Sequence, residues 1–388
     1  MSLPRTAGLL LVIIYLGFVS LGLPDGTLGV AWPAVYPELG LPVGLAGALM
    51  FVGTLMTATA GFSSGWLIAK FRTGPVLLVS CLLTSGAMLL LSQAHGAALL
   101  FGAAIPLGLG GGAVDAGLNG YVARHYSGRH MNWLHACWGI GATTGPLLMG
   151  HALAAAHGWR AGYLLIGAIQ GGLAVLFFAT LGLWEKVPEH AADAQRTETR
   201  NAPTLTASSF AGWLSTVIFA LYTGAEVCIG LWAGTILVAS RGLAPERAAL
   251  WVACYYGAIT GGRILVGFVH GRWTNRAAVR AGTLLAAASV LGFALGGAGP
   301  VATVSLALLG LGFAPIYPGL MHEVPRRFAP AAVQTVIGRQ SGAGALGAAL
   351  FPALAGAIAQ RALEGIVVLV VALIVALVGA AWWLDRRT

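Results

Sequence analysis

The sequence predicts an all-α membrane protein of about twelve transmembrane helices, arranged as two related six-helix halves. Three observations predict it. Of 388 residues, 58% are hydrophobic and only 9% charged, with a mean hydropathy of +0.84, whereas a soluble chain carries roughly a quarter charged residues. The apolar residues fall into runs of about 20, the length that crosses a bilayer as a helix. The loops between those runs carry their basic residues on alternate sides, as polytopic membrane proteins do.

Reading runs between turn and charge signals places the first six helices near 8–33, 43–69, 75–93, 97–123, 132–155 and 161–184. The second six fall near 208–238, 245–270, 277–296, 299–322, 331–358 and 363–384. The first run follows Arg5 and has the look of a signal peptide. It lacks a small-x-small cleavage site and heads a long series of similar runs, so it is expected to be a mature helix. The 57 glycines suit helices that approach closely in lipid, where small residues let backbones meet. Cys81, Cys137, Cys228 and Cys254 all sit in apolar runs without metal-ligand spacing and read as small packed hydrophobes.

The longest polar stretch runs from Glu185 to Ser208 and divides the chain. The expected domains are a bundle over 1–184, a linker over 185–207 and a second bundle over 208–388. On this map fifteen basic residues fall on one side and four on the other, with Arg263 and Arg339 inside helices. Both termini and the linker are therefore expected in the cytoplasm. The net charge of +9 does not indicate nucleic-acid binding, because the charges sit in short clusters and form no continuous face.

The halves resemble each other. Asp25 in the first helix corresponds to Glu226 in the seventh, and Gly65 to Gly267 near the ends of the helices that follow. Gly108-Leu-Gly corresponds to Gly310-Leu-Gly, and Pro146 to Pro352. Parallel repeats of this kind build transporters with a site near mid-membrane.

Ionisable groups inside a bilayer are costly, so they mark candidate sites. Asp25 lies in Gly22-Leu-Pro-Asp-Gly26, where Pro24 and the flanking glycines predict a local helix break beside an acid. Asp115 and Asn119 follow a glycine-rich run and share a helix face four residues apart. Asn132, His135 and Trp138 open the fifth helix. In the second half, Glu226, Arg263, Arg339 and Gln340 are the buried polar candidates, and Trp232, Tyr255, Tyr256 and Tyr317 are candidates for stacking on a solute. Arg339 reads as deep, in need of an acid or an anionic ligand. Arg263, near a helix end, reads as a snorkelling or gating residue. Each has a plainer reading as a packing or interfacial group. The run Gly108–Gly112 lacks the Lys-Ser/Thr of a phosphate loop and lies in an apolar helix. With no nucleotide-binding domain, an ion gradient is the expected source of energy. No cofactor and no metal are expected.

The chain resembles the major facilitator superfamily over essentially its full length. Gly65-Trp-Leu-Ile-Ala-Lys70-Phe-Arg72-Thr-Gly74 is similar to the superfamily's cytoplasmic signature, with Ala69 at the usual acid position and Arg72 at a usual glycine. Gly262-Arg-Ile-Leu-Val-Gly267, followed by Gly271-Arg272, is its second-half counterpart. Asp25, the helix-four segment with Asp115 and Asn119, Asn132-Trp-Leu-His135 with Gly139-Ile-Gly141, and Gly310-Leu-Gly with Ile316-Tyr-Pro318 resemble the fucose–proton symporter family and its sodium-dependent glucose transporter relatives. The resemblance implies a major facilitator fold with carboxyls in helices one and four serving proton coupling and hydroxyl recognition.

The expected function is secondary active symport, by alternating access, of a small neutral solute such as a monosaccharide. Proton is the expected coupling ion and sodium the alternative. Asp115 and Asp25 would exchange the proton. Asn119, Asn132, His135, Trp138, Glu226, Trp232, Tyr256, Tyr317, Arg339 and Gln340 would line the solute path, with Lys70, Arg72 and Arg263 at gates. A monomer in the bacterial inner membrane would suffice, with lipid, solute and ion as its partners. The rival readings are an exporter of drugs or organic-anion metabolites and a non-transporting receptor or lipid-handling protein.

Overall fold

The computed structural model describes residues 5–126, 128–155, 157–187, 205–269 and 274–388. Most of the expected linker, together with Gly271 and Arg272 of the second signature loop, lies outside the described residues. Fourteen α-helices are found among the described residues: α1 Arg5–Gly22, α2 Thr27–Glu38, α3 Leu45–Phe71, α4 Thr73–Ser92, α5 Ala97–His125, α6 Gly128–Ala154 and α7 Gly158–Ala179, then α8 Phe210–Thr235, α9 Pro245–Val269, α10 Asn275–Leu295, α11 Pro300–Phe313, α12 Ile316–Arg327, α13 Pro330–Ala359 and α14 Gly365–Arg387. They make twelve spans, because the first and the tenth are each broken in two.

The first break is where Pro24 and the glycines predict it. α1 stops at Gly22 and α2 starts after Gly26, whose φ of 74° is a left-handed conformation that glycine adopts without strain. Thr27 donates its hydroxyl to the Pro24 carbonyl at 2.6 Å, satisfying one group the break releases. The expected end near residue 33 is too early, since α2 carries Pro33 and Pro37 within it and runs to Glu38. The second break corrects a continuous 299–322 helix. Pro315 has no N–H to continue the ladder after Phe313, and α12 restarts at Ile316 and reaches Arg327. The seventh span closes with a π-helical turn over Ile236–Ser240.

The chain forms two compact units, one of Met1–Pro42 with Leu49–Ala194, the other of Val43–Ala48 with Gln195–Thr388. In the first, α4 packs on α5 and α7, and α1 packs on α6. Leu10, Ile14, Phe18, Leu118, Tyr121 and Phe177 form its core. Lipid supplies no hydrophobic force between helices, so close backbone approach carries the packing. At Gly141 and Gly145 on α6, an added Cβ would lie 1.9 Å from the Val19 and Leu23 carbonyl oxygens. The helix-four glycines work the same way: a Cβ on Gly112 would lie 2.3 Å from the Thr57 carbonyl of α3. In the second unit α8 packs on α13 and α14, and α11 on α9 and α10. Ile218, Phe219, Phe293 and Phe313 are fully buried there. Cys81 and Cys228 are buried and unpaired.

Eleven helical segments are long and apolar enough to cross a membrane among the described residues. α6 is as long, at 27 residues, but is not one of them. Its His130, His135, Thr143, Thr144 and His151 lower its hydropathy, and it packs against α1 and α7.

Candidate functional site

In the first unit the polar groups concentrate where α1 breaks against α6. Asp25 sits in the break, and Trp138 Nε1 donates to its Oδ2 at 2.7 Å. The contact is possible because Gly22 and Gly141 let the two backbones touch at that level: a Cβ on Gly22 would meet the Trp138 carbonyl at 2.2 Å. His135, one turn before Trp138, is exposed and packs edge-on against Phe18, with ring centroids 5.8 Å apart. Nearer the start of α6, the Tyr15 hydroxyl and His130 Nδ1 lie 2.8 Å apart. Neither of those two is legible as a partner in sequence, since they are 115 positions apart. The backbone of Asn132 lies in the first turns of α6, and its side chain is outside what is described.

On α5, Asp115 is exposed. Asn119 donates its amide to the Asp115 carboxylate and to the Asp115 carbonyl, both at 2.9 Å. That is the face-sharing pair predicted from i, i+4 spacing. Its character emerges by comparison with six other described acids. Glu38 pairs with Arg160, Glu185 with Arg72, Glu226 with Arg263, and Glu364 with Arg241. Glu323 and Asp385 pair with arginines of α10 and α12. Asp115 is held by a neutral amide, with no basic partner among the described residues. A carboxylate beside a cation stays ionised, whereas one held by a neutral donor takes up a proton without abandoning an ion pair.

In the second unit, Glu226 of α8 and Arg263 of α9 meet at 3.7 Å. Sequence reading singled out both and did not pair them. Tyr255 Oη donates to the Glu226 backbone carbonyl at 2.9 Å, and Tyr255 and Tyr222 are fully buried around the pair. Tyr256 is half-buried against Gly230 of α8. Tyr317 is part-exposed, its ring 5.1 Å from Phe219.

Three expected solute contacts have other work in this structure. Trp232 is fully buried and donates Nε1 to the Pro352 carbonyl at 3.2 Å. Gln340 is fully buried and donates to Ser215 Oγ at 2.6 Å. Arg339 was expected deep in the membrane, but its long side chain runs toward the helix end. There it donates to the Ala207 carbonyl at 2.8 Å and stacks 4.4 Å above Trp213. The guanidinium thus reaches polar surroundings by snorkelling.

The signature loop is compressed to one residue, Arg72, between α3 and α4. Arg72 has φ 66° and ψ 163°, a conformation favoured by glycine, the residue usual at this signature position. Its side chain pairs with Glu185. Lys70 lies 5.0 Å over the Trp66 ring and 5.3 Å over Phe71.

A model of the Major Facilitator Superfamily matches residues 14–338. No curated protein matches the chain. Among solved structures, a bacterial homolog of the human lysosomal transporter Spinster, in an inward-facing and occupied conformation, is similar with a TM-score of 0.77 at 12% identity, covering 100% of this chain and 98% of the other. The nucleoside transporter NupG is similar at 0.73 and 13% identity, covering 99% and 100%. The peptide transporter POT in complex with sulfate is similar at 0.74 and 17% identity, covering 96% and 94%.

Proposed function

Because the chain belongs to the Major Facilitator Superfamily, we propose that it is a proton-coupled symporter of a small neutral polyhydroxy solute, such as a monosaccharide, working by alternating access. The observation that carries this reading is the neutral partner of Asp115. Unlike Glu38, Glu185, Glu226, Glu323, Glu364 and Asp385, it is poised to gain and lose a proton without breaking an ion pair. Asp25, at the broken helix and bonded to the Trp138 indole, is the second coupling carboxyl and an acceptor for a solute hydroxyl. Asn119 and His135 supply further hydrogen bonds, and Trp138, Tyr256 and Tyr317 supply ring faces. Arg339, the residue that favoured an anionic solute, is engaged by Trp213 and Ala207, which supports a neutral one. The narrower likeness of the Asp25, Asp115 and His135 segments to fucose–proton symporters supports a sugar. The protein works as a monomer in the bacterial inner membrane with both termini cytoplasmic.

Protonation of Asp115 removes a charge that otherwise opposes closing the carrier around an empty site. The Asp115→Asn variant mimics the protonated form. It is expected to exchange solute across proteoliposome membranes while losing accumulation against a gradient. Purified protein in liposomes holding an internal pH dye, offered a panel of neutral sugars, is expected to acidify the lumen on addition of its solute. Persistent accumulation by Asp115→Asn would remove Asp115 from the coupling role. Silence to sugars with a response to amphiphilic ions would replace the importer by an exporter.

A further inference from the structure

At one end of the second unit, where α10 starts and α12 and α14 finish, charge is out of balance. Glu323 accepts from Arg276 Nε at 2.9 Å and from Arg326 at 3.2 Å, and Arg327 lies 3.6 Å away. Asp385 accepts from Arg280 Nε at 2.9 Å and pairs also with Arg327. Two carboxylates thus serve four guanidiniums, and the residues after Asp385 are Arg386 and Arg387. The imbalance is sorted by depth. The side chains of Glu323 and Asp385 are 3% and 5% exposed, whereas those of Arg280 and Arg326 are 52% and 64% exposed. Negative charge is therefore inside and surplus positive charge outside. Each exposed guanidinium is anchored through one nitrogen to a buried acid, which aims its remaining N–H donors outward in a fixed fork.

The surroundings set the kind of anion. Arg386 stacks 3.5 Å over Trp382, and Arg387 lies 5.5 Å over Trp383. Trp383 meets Phe210 edge-on at 4.8 Å, and Phe210 and both tryptophans are exposed. Exposed tryptophan beside arginine at the end of an apolar helix is the composition of the membrane–water interface. A soluble anion has no use for such an apolar flank, while a phospholipid presents its phosphate to the forks and its glycerol and upper chains to the rings. Basic pockets between helix ends bind anionic headgroups in this way.

We propose that this face holds the phosphate headgroup of an anionic phospholipid, ligated by Arg280 and Arg326 and flanked by Trp382 and Trp383. The lipid ties α10, α12 and α14 together below the break that separates α12 from α11.

Native mass spectrometry of the purified full-length protein, titrated separately with phosphatidylglycerol and with phosphatidylcholine, tests this. Wild type is expected to retain phosphatidylglycerol in preference. At about 1 kcal/mol for each basic residue near the surface, Arg280→Gln and Arg326→Gln should each weaken that binding about fivefold, and together about 25-fold. Arg280→Lys with Arg326→Lys keeps the charge without the fork and should fall between. If the double glutamine variant does not fold, Arg386→Gln with Arg387→Gln replaces it. These side chains lie over exposed rings, and the variant should lose phosphatidylglycerol severalfold. Undiminished phosphatidylglycerol binding in the variant used, or equal retention of phosphatidylcholine by wild type, would overturn the proposal. Displacement of the lipid by millimolar inorganic phosphate would also overturn it, by making this a free-anion site.

Discussion

Replacing Gly141 by Ala probes how the Asp25 site is built. The new Cβ would stand 1.9 Å from the Val19 carbonyl oxygen, where an ordinary contact begins near 3.4 Å. The obstacle is backbone on α1, which cannot rotate aside, so α1 and α6 must separate by roughly 1.5 Å. The Trp138–Asp25 bond, 2.7 Å long at the same level, would then stretch to about 4 Å, beyond hydrogen-bonding range. A bond to a charged group contributes about 1.5–3 kcal/mol, and forcing extra volume into a packed contact costs about 1–3 kcal/mol. Gly141→Ala should therefore lose about 2.5–6 kcal/mol. Trp138→Phe, which removes the donor alone, should lose about 1.5–3 kcal/mol. If the glycine acts by placing the indole on the carboxylate, the two losses are not additive. Trp138→Phe should cost under about 0.5 kcal/mol in the Gly141→Ala background. Equilibrium unfolding in mixed micelles measures all four proteins. Gly61→Ala serves as the control, since nothing lies within 4 Å of a Cβ there. Gly141→Ala behaving like Gly61→Ala would refute the packing argument. Full additivity would refute the link between the glycine and Asp25.

The same unfolding assay tests three more predictions. Glu226→Gln removes the carboxylate that faces Arg263 and should cost about 3–5 kcal/mol, with much of it recovered when Arg263→Met is added. Arg72→Gly relieves a backbone conformation costing about 1–3 kcal/mol, loses an exposed ion pair worth about 0–1 kcal/mol, and adds about 0.5–1 kcal/mol of glycine entropy. Strain relief is the largest of these, so the variant should be more stable by about 1 kcal/mol; a clear loss would show that the Glu185 pair matters more. Hydrogen bonding to Arg241, outweighing part burial and helped by Ser240, holds the Glu364 carboxyl below its ordinary range. A lowered value contributes stability that is present above about pH 4.3 and is lost as pH falls through the folded value. Glu364→Gln should therefore be weaker than wild type by about 1 kcal/mol at pH 7, a bond to a charged partner discounted for exposure. The difference should vanish on acidification; a constant gap across pH would argue against the ion pair.

Much of this architecture is legible in the chain because bilayer thickness imposes a length on every apolar run. The Asp25 break is legible for a local reason: Pro24, Asp25 and Gly26 are three consecutive residues that all disfavour helix. The break before Ile316 is not, because a proline that starts a helix and one that bends it look alike in sequence. Asp115 and Asn119 could be paired by spacing alone. Glu226 and Arg263 could not, since their meeting depends on how α8 and α9 are rotated. Arg339 misleads for another reason. Its position in the helix is read correctly, but the charged end of a long side chain lies far from its own Cα. The oversubscribed carboxylates Glu323 and Asp385 also escaped notice, because counting basic residues by loop does not register where acids are buried.

The polarity of α6 bears on how the protein is made. Histidine and threonine disfavour partition into hydrocarbon, so a helix with this composition gains little by leaving the insertion machinery alone. Its complement is α1 and the break that follows it, synthesised more than a hundred residues earlier, whose Val19 and Leu23 carbonyls fill the spaces that Gly141 and Gly145 leave open. Insertion of α6 is then favoured when α1 is still beside the exit site, so that the two can enter lipid as a pair. Substitutions at this seam should reduce the yield of inserted protein before they touch the activity of what is inserted.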